Sequence, residues 1–316
     1  MTSVVHPQVH ASTFSCGQCG ASLAFAGVRT ELCPYCTSPN FVERPPAAHQ
    51  PDPTLVVAFA GSAEHAKLRL DRWIGRRMWV ADPALRHARV DDIRGIYVPA
   101  YLYSALARTE YTAQIGEHYK ETKLVHTKNA DGSEKLEERT VTRTEHRPLS
   151  GRHVGYVTDV VVSASQGLAH AELAALEPFD LRALRRFSPA LISGWITEEF
   201  ARDADQCCRQ SRADAIDDVG TALRRFMPGD SFCDLVWRTT VEWESLEPIL
   251  VPIWVLAVRY RADRPALRIL INGQTGKVHG KAPLSWWKVT LAIAIPLLVA
   301  AAIVLLWLHY QPEPPP

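Results

Sequence analysis

The chain has 316 residues, and its 35 Lys and Arg almost balance its 34 Asp and Glu, leaving a formal net charge of +1. Such a balance gives no general electrostatic attraction to nucleic acid. The first twelve residues lack both a basic start and a long apolar run, which argues against a signal peptide. Seven cysteines, four of them regularly spaced, fit a reducing compartment better than a disulfide framework.

Residues 1–13 are predicted to be disordered, and a cysteine motif follows them. Two Cys-x-x-Cys pairs lie thirteen residues apart, formed by Cys16, Cys19, Cys33 and Cys36. The small residues Gly20 and Thr37 follow the pairs and favour tight turns that aim two thiolates at one point. Four thiolates are the ligand set of a closed tetrahedral zinc site. We therefore predict a zinc ribbon over 14–44 that holds structural Zn²⁺, with iron in a rubredoxin-like site or a redox dithiol pair as alternatives.

The charges of the ribbon indicate what it binds. The ionisable side chains of 14–44 other than the cysteines and one tyrosine are Arg29, Glu31, Glu43 and Arg44, and their charges cancel. No basic stripe is present to neutralise phosphates. A folding or protein-docking module is therefore favoured over nucleic-acid binding.

A proline-rich stretch at 45–54 predicts a stiff linker and a domain boundary. After it we predict an α+β body over 55–283, with a mostly antiparallel sheet. Ser62 is placed to cap a helix that ends near Gly75. Asp82, followed by proline, predicts the start of a shorter helix.

The middle of the body is rich in β-forming residues. Ile93–Leu106 predicts a strand, and Tyr111–Ile115 is expected to pair back onto it. The stretch 117–152 is dense in charges of both signs and surrounds a turn-rich loop at Asn129–Ser133, which predicts an exposed β-hairpin. Its basic side chains could contact nucleic acid, but the interleaved glutamates favour a solvated face.

A long helix and several strands complete the body. Glu198–Phe226 has its apolar residues on one side, as expected of an amphipathic helix. Strands are predicted at 231–244, 250–260 and 266–271.

Two short segments of the chain match each other. Ile96–Leu102 and Ile249–Val255 share the pattern apolar-x-Val-Pro-x-aromatic. Either two copies of one helix-plus-sheet unit or chance would explain this match. A proline inside each predicted strand indicates a sheet edge or a bulge.

The segment 286–308 predicts a transmembrane helix. Val289–Leu308 contains no charged residue, and twenty helical residues span about 30 Å, the thickness of the hydrocarbon core of a bilayer. Aromatic residues suited to the two interfaces flank it: Trp286, Trp287, Trp307 and Tyr310. A buried core helix is the alternative, but such helices are rarely this long without a polar side. With the short tail 309–316 after it, we expect a tail-anchored protein.

Charge also predicts the orientation of this helix. Three lysines precede it closely, at positions 277, 281 and 288, and no lysine or arginine follows it. An excess of lysine marks the cytoplasmic side of a membrane span. The body is therefore expected in the cytosol, at the inner (cytoplasmic) membrane of a cell.

Familiar catalytic motifs are missing from the chain. Gly273–Val278 looks superficially like a phosphate loop, but it lacks the four-residue gap and the Ser or Thr after lysine. No His-Glu-x-x-His and no Gly-x-Ser-x-Gly occurs. We expect a non-enzymatic protein, and a membrane enzyme with an unrecognised pocket remains an alternative.

The order of motifs resembles a bacterial family of tail-anchored zinc-ribbon membrane proteins. The segments that carry the resemblance are Cys16–Cys36, Val98–Tyr101, Pro178–Leu181, Val251–Trp254 and Asn272–Gly280. The family is often labelled a TFIIB-type zinc ribbon or similar to the primosomal helicase, replication factor Y, a label that reflects the cysteine pairs. Tyr101 departs from the tryptophan expected in the first Val-Pro strand.

The resemblance implies a membrane-anchored adaptor. Family members resemble partners of membrane-stress systems built on SPFH-domain and phage-shock-type proteins, so proteins of these types are the implied partners. We therefore expect a scaffold that recruits protein partners to the inner membrane. A membrane-associated nucleic-acid-binding protein is the alternative.

Overall fold

The computed structural model describes residues 12–25, 31–45, 50–128 and 134–309. Within these ranges the protein is mixed α+β, with a large sheet and five α-helices. The predicted disordered segment 1–13 and the tail 309–316 lie almost entirely outside the described residues. So does the loop 129–133 of the predicted hairpin.

The elements are numbered in chain order. The strands are β1 (Ser12–Cys16), β2 (Ser22–Phe25), β3 (Phe41–Arg44), β4 (Leu55–Val57), β5 (Arg89–Lys128), β6 (Glu134–Ser163), β7 (Leu184–Arg186), β8 (Ile196–Glu198), β9 (Ser231–Arg259), β10 (Leu267–Asn272) and β11 (Val278–Gly280). The helices are α1 (Ala63–Arg77), α2 (His170–Leu176), α3 (Pro189–Ile192), α4 (Ala204–Phe226) and α5 (Trp286–His309). Short 3-10 turns lie at Pro83–His87 and Leu181–Ala183.

The chain divides into two compact units. The first unit comprises Met1–Tyr101, Val162–Asp203 and Glu247–Pro316, and the second comprises Leu102–Val161 and Ala204–Leu246. The cysteine ribbon and the strands that follow the proline-rich stretch 45–54 belong to the same unit. The first unit is therefore assembled from three separate parts of the chain.

The sheet continues through the ribbon. Its strand order is β11-β10-β9-β5-β8-β2-β1-β3, with β4 between β7 and β9. Strand β8 links the ribbon to the rest of the first unit, because it pairs antiparallel with β2 and parallel with β5. The two Val-Pro strands, β5 and β9, are neighbours inside this sheet, so the expectation that they lie at an edge is wrong. Their valines are buried, and the backbone oxygens of Pro99 and Pro252 accept hydrogen bonds from outside the strands.

Helix α1 covers the part of the sheet formed by β9 and β10. It begins as predicted, because the Ser62 side chain accepts a hydrogen bond from the backbone N–H of His65. Its buried face, with Leu70 and Trp73, packs against Trp254 and the neighbouring apolar residues of β9 and β10. Burial of these side chains, at about 25 cal/mol per Å² of apolar surface, stabilises this layer.

The second unit differs from the prediction in how its strands are divided. The predicted turn between Leu106 and Tyr111 does not exist, because β5 runs without interruption to Lys128. The connecting residues alternate, with Ala107 and Thr109 buried and Arg108 exposed, which is the pattern of a strand with one covered face. β9 is likewise one strand where two were predicted.

Helix α4 belongs to the second unit and starts later than predicted. Glu198 ends a strand, and the helix begins at Ala204. The predicted apolar stripe is present, with Cys207, Ala215 and Leu223 buried. The guanidinium of Arg224, in the last turn, lies 5.1 Å from the ring centre of Trp237 on β9.

Helix α5 is long and apolar enough to cross a membrane. The stretch Trp286–Trp307 has 22 residues, and none of its most apolar window is buried against the rest of the protein. Leu298, near its middle, is 70% exposed. The exposure of Trp286–Trp307 argues against the alternative, in which this segment would be a buried core helix.

The second unit contains a testable ion-pair network. The Glu244 carboxylate accepts two hydrogen bonds from Arg212 at 2.7 and 2.8 Å, and one from the Tyr103 hydroxyl at 2.5 Å. The bonds from Arg212, chiefly, hold the pKa of Glu244 below its usual value. A lowered folded-state pKa adds stability above the unfolded pKa of about 4.3, and this stability is lost as the pH falls through the folded value.

We predict that Glu244→Gln lowers the stability of the second unit by about 1 kcal/mol at neutral pH, the upper range for a partly exposed ion pair. The difference from wild type should shrink as the pH falls through the lowered folded-state pKa of Glu244, where the wild-type carboxyl becomes protonated as well. Amide hydrogen exchange of α4 peptides, followed by mass spectrometry, measures this loss. Glu242→Gln, which breaks the more exposed pair with Arg108, is the matched control and should cost less. Equal effects of the two substitutions would contradict the prediction.

Candidate metal centre

The four predicted cysteines lie together. Their sulfur atoms are all within 4.8 Å of one another, with Cys16 and Cys36 at 3.5 Å and Cys19 and Cys33 at 3.6 Å. A tetrahedral site with metal–sulfur bonds of about 2.3 Å requires sulfur atoms about 3.8 Å apart. The cluster could therefore hold a metal ion with little rearrangement of the protein.

Two equivalent turns position the sulfur atoms. In the first turn, the N–H of Gly20 donates to the carbonyl of Cys16 at 2.9 Å, and in the second, the N–H of Thr37 donates to the carbonyl of Cys33 at 2.8 Å. Both turns need a left-handed residue after the second cysteine, and Gly20 and Thr37 have φ values of 76° and 58°. The tight turns predicted from the two Cys-x-x-Cys pairs are confirmed.

The electrostatics of the cluster favour a bound cation. A hydrogen bond from the Cys33 thiol lowers the pKa of Cys19 to about 5, and the same contact raises the pKa of Cys33. Because thiolates this close repel one another, all four can be deprotonated together only around a positive charge. Cys16 and Cys33 are buried, so the charge would be partly shielded from water.

A buried carboxylate supports the second cysteine turn by accepting a hydrogen bond from a residue of that turn. The hydroxyl of Tyr35, which lies between the two cysteines of that turn, donates to Glu198 at 2.6 Å. Glu198 also accepts bonds from the Ser165 hydroxyl and from the backbone N–H groups of Gln166 and Gly167, at 2.6 to 3.0 Å. Burial raises the pKa of Glu198, and these four hydrogen bonds offset part of that cost. Since all four partners donate, the arrangement matches an ionised carboxylate.

The ring of Tyr35 is enclosed on its other sides. A Cβ atom added to Gly167 would lie 2.5 Å from ring carbon Cε2 of Tyr35, so only glycine fits there without displacing the ring. The guanidinium of Arg268 lies 5.8 Å from the ring centre, within range of a cation–π contact. Arg268 also donates to the carbonyl of Gly167 at 3.0 Å and to the carboxylate of Glu172. The turn that carries Cys33 and Cys36 is therefore held by three segments distant in sequence.

A second carboxylate fixes the first half of the ribbon. Glu199 accepts hydrogen bonds from the hydroxyls of Thr13 and Ser22, at 2.8 and 3.1 Å. The N–H of Glu199 donates to the carbonyl of Ser22, which extends the β2–β8 pairing by one bond. Both strands of the first hairpin are thus tied to the residue after β8.

Sequence reasoning found the four cysteines and missed their supports. Glu198 was predicted to begin a helix, where a glutamate would face solvent, and the structure buries it at the end of β8. Only Tyr35 had a visible signal, since a tyrosine between two paired cysteines must lie beside the site. Ser165, Gly167 and Arg268 lie more than 120 residues further along the chain, in segments with no motif.

The basic residues considered for nucleic-acid binding lie on β5 and β6. Two of them pair with an acid, since Arg143 and Lys123 both contact Glu121, at 2.6 and 3.7 Å. Arg152 similarly contacts Glu110 at 3.2 Å. Such mutual pairing leaves less positive charge available for phosphate groups.

Comparison with known proteins gives one distant relative to report. No protein-family model matches the chain, and no solved structure matches it. The chain is 22% identical over 242 residues to "Uncharacterized protein YdjG" of Bacillus subtilis (strain 168), a match that covers 75% of this chain. The match spans 65% of the length of YdjG.

Removal of the metal should destabilise more than the ribbon. Because Tyr35 joins the second cysteine turn to Glu198, we predict that Cys33→Ser lowers both the metal content and the thermal midpoint of the first unit. The measurement is metal content per chain by mass spectrometry, together with hydrogen exchange of the β8 and β10 peptides. Cys233→Ser changes an exposed cysteine outside the cluster and is the control. Unchanged protection of β8 and β10 after metal loss would contradict the prediction.

The packing around Tyr35 allows a second test. We predict that Gly167→Ala destabilises the first unit by about 1–3 kcal/mol, the usual cost of overpacking a filled site, since the buried Tyr35 ring cannot move away. Chemical denaturation of the purified protein measures the difference. Gly75→Ala is the matched control, because nothing lies within 4 Å of the added methyl group, and it should stabilise α1 by about 0.5–1 kcal/mol. If Gly167→Ala were as stable as wild type, the described packing of Tyr35 would be incorrect.

Proposed function

We propose that this protein is a non-enzymatic adaptor, held at a membrane by α5 and carrying a structural zinc ribbon that docks protein partners. The observation that carries the proposal is the combination, in one compact unit, of a closed four-cysteine cluster and a fully exposed apolar helix. An exposed apolar helix of this length is not expected in a freely soluble domain. A ribbon fixed to the unit that bears the helix would present a binding surface close to the bilayer.

The length and flanks of α5 support its role as a membrane span. The 22 residues of Trp286–Trp307 rise about 33 Å as a helix, enough to cross the hydrocarbon core. Trp286 and Trp287 at one end and Trp307 at the other are exposed, as interfacial aromatic residues would be. Pro296 within the helix is tolerated in membrane spans. Lys277 and Lys281 before α5, with Lys288 in its first turn, favour a cytosolic location for the folded units, which would place the protein at the inner membrane of a bacterium.

The chemistry of the cluster supports zinc in a structural role. Four cysteines close the coordination sphere and leave no position for water or substrate. The contacts of Tyr35 with Glu198 and Arg268 couple the cluster to the packing of the first unit. Zn²⁺ bound there would contribute folding free energy, on the order of 10 kcal/mol in comparable small modules.

The exposed edge of the ribbon favours a protein as the binding partner. Strand β3 is the last strand of the sheet order among the described residues, and Val42 on it is 49% exposed. The N–H of Gly17 donates to the carbonyl of Asn40. In an antiparallel pair, every second residue directs its backbone groups toward the neighbouring strand, so the backbone groups of residues 42 and 44 also point toward β1. The backbone N–H of Glu43 therefore points away from β1. A carbonyl group on a strand of a partner protein could accept a hydrogen bond from it. The resemblance described above favours SPFH-domain or phage-shock-type proteins as that partner.

The decisive experiment is gentle detergent extraction of the tagged full-length protein, with identification of co-purifying proteins by mass spectrometry. Three variants are compared with wild type. Cys16→Ser/Cys19→Ser removes two metal ligands, and Glu43→Pro removes only the outward N–H of the edge strand. Glu43→Thr, which keeps that N–H and suits a strand, is the matched control for Glu43→Pro.

We expect an SPFH-like or phage-shock-like protein with wild type and with Glu43→Thr, and its loss from the other two variants. Retention of the partner by all variants would move the docking site to another part of the chain and would contradict the role of the ribbon. Recovery of nucleic acid, with binding that weakens steeply as salt rises, would favour the nucleic-acid-binding alternative over the adaptor.

A further inference from the structure

The turn after α1 is fixed to the first turn of α5. This turn, Met78–Ala81, is called the Trp79 turn below. The N–H of Ser285 donates to the carbonyl of Val80 at 2.9 Å, and the ammonium group of Lys288 donates to the carbonyls of Met78 and Ala81 at 2.8 and 2.9 Å. A β-bridge between Ala81 and Leu284 adds to these contacts. The Trp79 turn and the start of α5 therefore move as one piece.

The surface formed at this junction is unusually apolar. Trp79 is 70% exposed although it is among the largest apolar side chains, and Leu284 and Trp286 are also exposed. Exposed aromatic residues clustered in one place mark an interaction surface. Arg76, in the last turn of α1, is also exposed. An exposed indole ring suits the headgroup layer of a bilayer, where one end of the ring is apolar and the other is hydrated.

We propose that the Trp79 turn is a second membrane contact, in which Trp79 inserts into the interfacial layer of the bilayer that α5 crosses. This inference rests on the proposed membrane span. The hydrogen bonds from Lys288 and Ser285 hold Trp79 at the height of the first turn of α5, and that turn must lie at the interface if the apolar helix lies in the hydrocarbon core. Because Lys288 donates to two carbonyls of the turn, it holds the first unit at a fixed height and angle.

Site-specific photocrosslinking to lipid tests this proposal in the full-length protein. The protein is reconstituted into phosphatidylcholine vesicles that contain an alkyne-tagged phosphatidylcholine. The photoreactive residue p-benzoylphenylalanine replaces Trp79, Leu298 or Val42 in separate preparations. Leu298 reports on the membrane span itself. Val42, an exposed apolar residue on the strand at the opposite end of the sheet order from β11, is the negative control.

Two lysine substitutions test the fixing of the turn. Lys288→Met removes the donor to Met78 and Ala81, and Lys281→Met alters an exposed lysine nearby as the matched control. We expect lipid adducts at positions 79 and 298 and none at 42. Lys288→Met should reduce the adduct at 79 and leave the adduct at 298 unchanged, whereas Lys281→Met should change neither.

The outcomes separate this inference from the proposed function. An adduct at 298 without one at 79 would overturn the second membrane contact and leave the span in place. No adduct at 298 would overturn the span and with it the inference. Equal adducts at 79 and 42 would show unspecific contact with vesicles and would also overturn the inference.

Discussion

The carboxylate of Glu198 is the point on which the first unit depends. It is almost completely buried and accepts four hydrogen bonds, from Tyr35, Ser165, Gln166 and Gly167. Burial of an unpaired carboxylate would be very costly, and the four donors offset part of that cost. One donor, Tyr35, lies in the cysteine ribbon, and the other three lie in the loop after β6. The hydrogen bonds to Glu198 therefore join these two segments. A hydrophobic contact of equal area would let the two segments shift relative to each other. Four directed hydrogen bonds allow only one relative position.

This arrangement changes how the ribbon should be regarded. Small metal-binding modules with few apolar residues depend on metal for folding, and this four-cysteine ribbon also has support from the sheet through β8. The four-cysteine cluster, strand β8 and the start of α5 belong to one compact unit. A partner bound to the ribbon would therefore be held by the same compact unit that carries α5, and not by a separate module.

The parts predicted well from the sequence are those determined by local spacing. The two cysteine turns, the Ser62 cap and the apolar helix at 286–308 follow from residues within a few positions of one another. The strand breaks at 106–111 and 244–250 were predicted wrongly, because strand length depends on the neighbouring strands and not on local composition. The environment of Tyr35 could not be predicted, since Glu198 and Arg268 reach it only through pairings between distant strands. From the sequence alone, a glutamate or an arginine is expected at the protein surface.

The pairing of β2 with β8 has a consequence for the order in which the protein is made. Leu23 lies opposite Glu198, so the ribbon cannot complete its sheet until some 175 further residues have left the ribosome. The four cysteines span only 21 residues, and a metal ion could assemble them long before that. Contacts this distant in sequence are slow to form. If metal closed the nascent ribbon early, its strand edge and Tyr35 would already be in place, and β8 would meet a folded template when it emerges.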